Sequence, residues 1–155
     1  MTVEAGDRAP DFKLRGIDGD GEEREFTLAS FSGRRLVLYF YPRDNTPGCT
    51  AEACDFRDRM DSLRAEGVEV AGVSPDSTAS HLRFREKQGL NFPLLSDPDR
   101  SVAAAYGAYG EKKSYGRTTM GVIRSTFLIG ADGRIERVWR NVKARGHAAA
   151  VAAAL

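Results

Sequence analysis

The sequence has few of the residues on which disulfide frameworks and metal sites depend. Its 155 residues include two cysteines, Cys49 and Cys54, and two histidines, His81 and His147. Two half-cystines allow one disulfide, which is a thin framework for a secreted domain. Both histidines are distant in sequence from the cysteines, and four residues separate the cysteines instead of the two that are usual in zinc sites. A close cysteine pair of this kind therefore favours redox or catalytic chemistry.

Strong charge and long apolar runs are also missing. Lys and Arg number 23 and Asp and Glu 22, a net charge of +1, which argues against nucleic acid or an anionic membrane as a partner. No apolar run approaches the about 20 residues of a membrane helix. Residues 1–11 have neither the basic start nor the apolar run of a secretory signal. We therefore expect a cytoplasmic protein with one domain over residues 1–155.

The hydrophobic pattern that is present alternates between strands and helices. A buried strand at 36–41, a helix at about 49–66 and a second strand at 68–73 make a βαβ unit with parallel strands. Asp-Gly turns predict a hairpin near the N-terminus and another over 125–139. Further predictions are helices at 78–88, 101–106 and after Lys143, a strand at 94–96, and a loop or irregular hairpin at 107–121. The sum is an α/β fold with a mixed central sheet flanked by helices on both faces, the layout of a thioredoxin-like fold.

Both cysteines lie on the predicted helix that follows the first buried strand. Cys49 falls in its first turn, where free backbone N–H groups and the helix dipole favour a thiolate, the nucleophilic form. Cys49 shares a narrow apolar stripe with core residues at helical spacing, whereas Cys54 lies about 140° away around the helix. Residues five apart on a helix have Cα atoms about 8.6 Å apart, beyond the roughly 7 Å limit for a disulfide. A Cys49–Cys54 bond would therefore require the helix to unwind.

The spacing alone leaves other interpretations open. Cys49 and Cys54 could be two inert thiols, since buried cysteine is common in helices. A thiol–disulfide oxidoreductase acting on proteins is a second possibility, although the chain has no Cys-x-x-Cys motif. A redox sensor or holdase, read by a partner through the state of the two cysteines, would use the same residues.

The motif around Cys49 adds a resemblance to a known family. Pro42-Arg-Asp-Asn-Thr46-Pro-Gly-Cys49 resembles the peroxiredoxin pattern Pro-x-x-x-Thr-x-x-Cys, and Cys54 five residues later is similar to the peroxiredoxin Q type, also called bacterioferritin comigratory protein. Segments similar to the family extend over nearly the whole chain, at 6–12, 111–116, 121–129 and 142–147. The family commonly has Trp shortly after Gly107, where this chain has Ala108 and Tyr109. Substrate preference and oligomeric state therefore do not follow from the resemblance.

The resemblance implies a role for each motif residue. Cys49 would be the peroxidatic cysteine and Cys54 the resolving one. Thr46 would hydrogen-bond the peroxide, Arg124 would stabilise the thiolate and polarise the peroxide, and Pro42 would shield the pocket from water. Fixed donors and a guanidinium in a dry pocket suit the charge that develops as the O–O bond breaks.

The resemblance also implies a thiol-dependent peroxidase cycle. A Cys49 sulfenic acid would form, Cys54 would resolve it as an intramolecular disulfide, and thioredoxin or a similar dithiol would reduce that disulfide. The substrate would be hydrogen peroxide or an alkyl hydroperoxide, with no metal or organic cofactor. We expect a monomer or weak dimer.

Overall fold

A mixed β-sheet of seven strands forms the centre of the molecule. The computed structural model describes residues 3–155. The strands are β1 (Lys13–Ile17), β2 (Glu23–Thr27), β3 (Arg35–Phe40), β4 (Val68–Ser74), β5 (Leu94–Ser96), β6 (Tyr109–Ser114), β7 (Arg117–Val122), β8 (Ser125–Ile129) and β9 (Ile135–Trp139). The sheet has the order β2-β1-β5-β4-β3-β8-β9, and β6 pairs with β7 separately. Only β3–β4 and β4–β5 are parallel, so the sheet is mixed as predicted.

Helices cover both faces of this sheet. They are α1 (Pro47–Ala65), α2 (Thr78–Gln88), α3 (Ser101–Ala105) and α4 (His147–Ala153), with a 3₁₀ turn at Leu28–Phe31. Side chains along β3 alternate between two cores, because successive residues of a strand point to opposite faces. Leu36, Leu38 and Phe40 join the core on the α3 side, and Val37 and Tyr39 join the core that contains α1, α2 and α4. The predicted two-sided arrangement is therefore confirmed.

A glycine in β4 makes room for Tyr39, a buried aromatic side chain of the α1 core. Tyr39 of β3 is directly opposite Gly72 in the parallel register. A Cβ atom at Gly72 would come within 2.9 Å of the Tyr39 ring and hydroxyl. Tyr39 in turn stacks on Phe56 of α1, with ring centroids 4.9 Å apart. This packing fixes the height at which α1 lies over the sheet.

The segment predicted as a loop or irregular hairpin is a regular two-stranded ribbon. β6 and β7 pair without interruption from Tyr109↔Val122 to Ser114↔Arg117. Tyr115 and Gly116 at the turn both have positive φ, 51° and 76°, as the turns favoured in two-residue hairpins require. The sequence signal is weak here because the outer part of β7 is exposed and shows no apolar alternation.

Across residues 3–155, none of the helices combines the length and the apolar character needed to cross a membrane.

Candidate active site

Cys49 lies in the first turn of α1, after the loop that follows β3. The helix begins at Pro47, with Thr46 in the N-cap position, so Cys49 is the third helical residue. Its side chain is 1% exposed. The first backbone N–H groups of a helix have no partner within the helix, and the positive end of the helix dipole lies there. The predicted placement of Cys49 in a shielded first turn is therefore confirmed.

Arg124 contacts the sulfur of Cys49 from a distant part of the chain. Its Nη2 donates a hydrogen bond to Cys49 Sγ at 3.1 Å. The contact follows from the sheet: β8 is antiparallel to β3, and Ser125 pairs with Phe40, the last residue of β3. Arg124, the residue before β8, thus lies beside the loop that leads to α1. This contact places the positive charge of the guanidinium directly against the sulfur.

Glu52 binds the other side of the same guanidinium. Arg124 Nη1 donates to Glu52 Oε1 at 2.5 Å, and the Glu52 side chain is fully buried, with Oε2 lacking a partner in the structure. Burial raises the pKa of Glu52 to about 7, against the opposing effect of Arg124. Burial lowers the pKa of Arg124, because it disfavours the charged form. The charges and hydrogen bonds of Glu52 and Cys49 raise it by more, so the pKa of Arg124 lies above its ordinary value. The guanidinium therefore stays charged between the thiol and the carboxyl.

Sequence reasoning missed Glu52. A glutamate on a helix is usually solvated, and the apolar stripe through Cys49 does not include it. Its spacing of three residues from Cys49 puts the two side chains on neighbouring positions of one helix face. That spacing was the available signal.

His147 also lies close to Arg124, although the sequence indicated only the start of a helix. It is buried at the first position of α4, and its Nε2 is 2.7 Å from Thr126 Oγ1. Burial, with a smaller effect of Arg124, lowers the pKa of His147 to about 4. The imidazole is therefore neutral at physiological pH and adds no charge near Cys49.

Pro42 and Thr46 lie in the loop that leads from β3 to Cys49. The Thr46 hydroxyl donates to the Arg43 carbonyl at 2.9 Å, which leaves its oxygen lone pairs free to accept a hydrogen bond. Pro42 and Arg124 line one surface depression of about 580 Å³. Ile123 and Val142 supply apolar walls to it. Pro42, Thr46, Cys49 and Arg124, which are far apart in sequence, therefore occupy one end of the sheet.

Cys54 lies further along the same unbroken helix. It is half-buried, and its Sγ donates to Gln88 Oε1 at 3.5 Å. Both thiols are free. Because α1 runs continuously from Pro47 to Ala65, the about 8.6 Å helical spacing of their Cα atoms applies and no disulfide can form in this conformation. In the described part of the chain, no three His, Cys, Asp or Glu side chains are grouped so as to hold a metal ion.

Comparison with known proteins shows the family of this chain. Residues 5–138 match the AhpC/TSA family. The chain belongs to the AhpC/TSA family. It is 53% identical to a putative peroxiredoxin of Mycobacterium tuberculosis, over 93% of this chain and 89% of that protein. It is 46% identical to peroxiredoxin Bcp of Bacillus subtilis, over 96% and 92% of the two chains.

Solved structures support the same assignment. A variant of peroxiredoxin Q from Xanthomonas campestris superimposes with a TM-score of 0.86 at 42% identity, over 98% of this chain and 97% of that one. The bacterioferritin comigratory protein of the same organism, studied for its alkyl peroxide reduction activity, superimposes with a TM-score of 0.82 at 42% identity, over 91% and 88%. The thioredoxin-like fold and the resemblance to peroxiredoxin Q are thus confirmed, and the chain is a peroxiredoxin, an enzyme.

Proposed function

We propose that this peroxiredoxin reduces hydrogen peroxide and organic hydroperoxides through Cys49, with Cys54 as the resolving cysteine. The observation that carries the proposal is the contact of Arg124 with Cys49 Sγ at the start of α1. A buried sulfur beside a guanidinium and a helix N-terminus has the environment of a reactive thiolate. The alkyl peroxide reduction described for the relative from Xanthomonas campestris supports the substrate class.

In the first step, the Cys49 thiolate attacks one oxygen of the peroxide. An S–O bond forms as the O–O bond breaks, sulfur loses two electrons, and the departing oxygen takes a proton and leaves as water or an alcohol. Negative charge moves from sulfur to the leaving oxygen during this step. Arg124 already lies at the sulfur and can stabilise that charge in both positions without reorganising.

Thr46, Pro42 and Glu52 prepare the site for this attack. The Thr46 hydroxyl, which donates to the Arg43 carbonyl, can accept a hydrogen bond from the peroxide and fix the direction of approach. Pro42 offers no N–H and keeps an apolar edge against water. Glu52 holds Arg124 Nη1, so that Nη2 remains directed at the sulfur. Thr46 and Arg124 would be catalytic residues, whereas Glu52 would be a positioning residue.

In the second step, Cys54 attacks the Cys49 sulfenic acid. The S–S bond forms, the hydroxyl leaves, and the Cys54 proton completes a water molecule. The helical spacing of the two Cα atoms, about 8.6 Å, requires the turns between Cys49 and Cys54 to unwind first. We call the intact helix the closed conformation and the unwound segment the open conformation. A dithiol of the thioredoxin type then reduces the disulfide by exchange and restores both thiols.

The assignment of the two cysteines is tested by replacing each one with serine. Peroxide consumption is followed as NADPH oxidation in the presence of thioredoxin and thioredoxin reductase. Cys49→Ser should consume no peroxide, because the sulfur that contacts Arg124 is removed and the remaining thiol, Cys54, has no such contact. Cys54→Ser should react once at the wild-type rate and then stop, because its sulfenic acid has no resolving partner.

The two variants serve as matched controls, since each removes one sulfur from the same helix. A dimedone adduct on Cys49 in the Cys54→Ser protein would identify the sulfenic acid. Equal turnover by both variants, or a dimedone adduct on Cys54 in the Cys49→Ser protein, would contradict the assignment.

A further inference from the structure

A buried carboxylate lies in the loop that leads to Cys49. Asp44 follows Pro42 by two residues and is 6% exposed. Its Oδ1 accepts a hydrogen bond from the Tyr41 hydroxyl at 2.6 Å. Its Oδ2 accepts from Ser80 Oγ at 2.9 Å and lies 2.7 Å from His81 Nδ1. Ser80 and His81 belong to α2, so this side chain joins the catalytic loop to a different helix.

The geometry fixes both protons of the contact with His81. The imidazole is fully buried, and its Nε2 is 2.9 Å from the carbonyl oxygen of Leu95. A carbonyl oxygen can only accept, so Nε2 carries a proton. A second proton lies between Nδ1 and the Asp44 carboxyl, so the two side chains share a hydrogen bond out of contact with water.

The backbone of the loop is held at the same point. Asp44 N donates to Asp76 Oδ2 at 2.7 Å, just beyond the end of β4. Ser74 Oγ donates to the same oxygen at 2.7 Å. The Asp44 main chain and side chain thus bind two different elements, and the loop position depends on both.

The opposite end of α2 contacts the segment that carries Cys54. Cys54 Sγ donates to Gln88 Oε1, and Arg57 Nη1 donates to the Gln88 carbonyl at 2.5 Å. One helix therefore binds the chain on the N-terminal side of Cys49 and again at Cys54. The stretch between these two attachments contains the helical turns that must unwind before a disulfide can form.

We propose that the Asp44–His81 pair is a positioning latch that holds the catalytic loop closed and sets the equilibrium between the closed and open conformations. The proposal rests on the proposed function in one respect, because opening matters to the reaction only if Cys49 and Cys54 form a disulfide. Neither residue touches the sulfur or the peroxide, so both act through the loop.

Breaking the latch should act differently on the two steps of the reaction. Without His81, the Asp44 carboxylate is buried with a partner lost, and the open conformation lets it reach water. In the wild-type protein the closed conformation dominates. Even if the variant increases the open fraction tenfold, nearly all molecules remain closed. Oxidation of Cys49 should therefore change little, whereas disulfide formation, which starts from the open fraction, should become faster.

The test compares His81→Leu, His81→Asn and Asp44→Asn with Ser77→Ala. Ser77 caps α2 by accepting from Ser80 N, so its loss weakens the helix without removing a contact of Asp44. Rapid quenching with mass spectrometry measures Cys49 oxidation and disulfide formation separately. We expect His81→Leu and Asp44→Asn to form the disulfide about tenfold faster than wild type, as for loss of one buried hydrogen bond. His81→Asn keeps a donor near the Nδ1 position. Its rate of disulfide formation should therefore lie between those of these two variants and that of wild type.

A second readout needs no peroxide. Hydrogen exchange of residues 42–54 in the reduced proteins should also accelerate about tenfold in His81→Leu and Asp44→Asn, and the double variant should add little to either single one. If His81→Leu does not fold, Asp44→Asn carries both measurements. Exchange and disulfide rates within twofold of Ser77→Ala would overturn the latch. A wild-type protein whose Cys49 does not react would overturn the proposed function instead, and the exchange measurement would still decide the latch.

Discussion

At the scale of single residues, Arg124 links the reactive sulfur to a buried carboxyl. Its two terminal nitrogens contact Cys49 Sγ and Glu52 Oε1 at the same time, and its side chain is only 15% exposed. The planar fork of a guanidinium can bridge two such partners, whereas an ammonium is a point charge. The two contacts therefore depend on the shape of the guanidinium as well as on its charge.

Arg124→Lys tests the importance of that shape. We expect the second-order rate constant for Cys49 oxidation to fall at least about tenfold, because one ammonium cannot contact the sulfur and Glu52 together. Stopped-flow fluorescence of Trp139, the single tryptophan, can follow the reaction. Arg117→Lys, an exposed arginine on the neighbouring strand β7, is the matched control and should react like wild type. A rate for Arg124→Lys within twofold of that control would contradict the bridging role.

Glu52→Gln should change how stability depends on pH. Since the pKa of Glu52 is raised to about 7 from 4.5, the folded protein keeps a proton that the unfolded chain releases between these values. Stability from this group is therefore present at low pH and is lost as the pH rises toward 7. Glutamine does not titrate, so the free energy of unfolding of wild type minus that of Glu52→Gln should fall by up to about 3 kcal/mol from pH 4.5 to pH 8.

Urea unfolding at several pH values gives this difference directly. Taking the difference between the two proteins removes the effect of His147, whose lowered pKa works in the opposite direction: its contribution is lost as the pH falls from 6.5 toward 4. A difference that stays constant from pH 4.5 to pH 8 would mean that Glu52 is not held in the buried position described.

At the scale of elements, the two parts of α1 are anchored unequally. The C-terminal part packs large side chains into the core, namely Phe56, Met60 and Leu63. The first turns bury only Cys49, Glu52 and Ala53. Asn91 also binds the Arg57 carbonyl, on the far side of Cys54. Little apolar surface would therefore be exposed by the proposed unwinding from Pro47 to Cys54, and the rest of α1 could stay in place.

Ala51→Gly should make this unwinding easier. Glycine inside a helix is less favourable than alanine by about 1 kcal/mol, which enlarges the open fraction roughly fivefold. Disulfide formation after Cys49 oxidation should accelerate by about the same factor, while oxidation itself stays nearly unchanged. Rapid-quench mass spectrometry measures both rates.

Ser62→Gly is the matched control, because it weakens the exposed side of α1 beyond Arg57. Its disulfide rate should equal that of wild type. Equal acceleration of disulfide formation in Ser62→Gly and Ala51→Gly would mean that the whole helix opens. The proposed difference between the first turns of α1 and the part that contains Phe56 would then be wrong.

Most elements could be predicted from the sequence because their signals are local. The hairpin 125–139, the helix 78–88 and the strand 94–96 match the observed bounds of β8, β9, α2 and β5. The position of Cys49 at a helix start follows from Pro47 and the end of the preceding strand. The β6–β7 ribbon was uncertain, since exposed polar strands show no clear periodicity.

The contacts between distant segments could not be predicted from local signals. Glu52 receives its partner from a residue 72 positions away, and Asp44 binds a histidine 37 positions away. Composition and periodicity describe neighbours along the chain, whereas these pairs depend on the strand order of the sheet. Only the motif resemblance pointed to Arg124, and nothing in the sequence pointed to the Asp44–His81 pair.

At the scale of the whole molecule, the mixed sheet determines which residues lie around Cys49. β3 and β8 are antiparallel neighbours, so the last residue of β3 and the first residue of β8 lie at the same end of the sheet. That end of the sheet also holds the loop from Pro42 to Thr46, the first turn of α1 and Arg124. α2, which crosses between β4 and β5, closes it from the side through Asp44 and Cys54. The fold thereby brings the loop, the first turn of α1 and Arg124 together around Cys49.

We propose Cys49 and Cys54 as the two redox partners within one chain. The most direct measurement is mass spectrometry of the wild-type protein after one equivalent of hydrogen peroxide and trypsin digestion. Both cysteines lie in the tryptic peptide Asp44–Arg57. We predict that this peptide loses two hydrogens, that the protein remains a single chain on a non-reducing gel, and that thioredoxin restores the original mass. A peptide that keeps both thiols, or a disulfide that links two chains, would contradict the account.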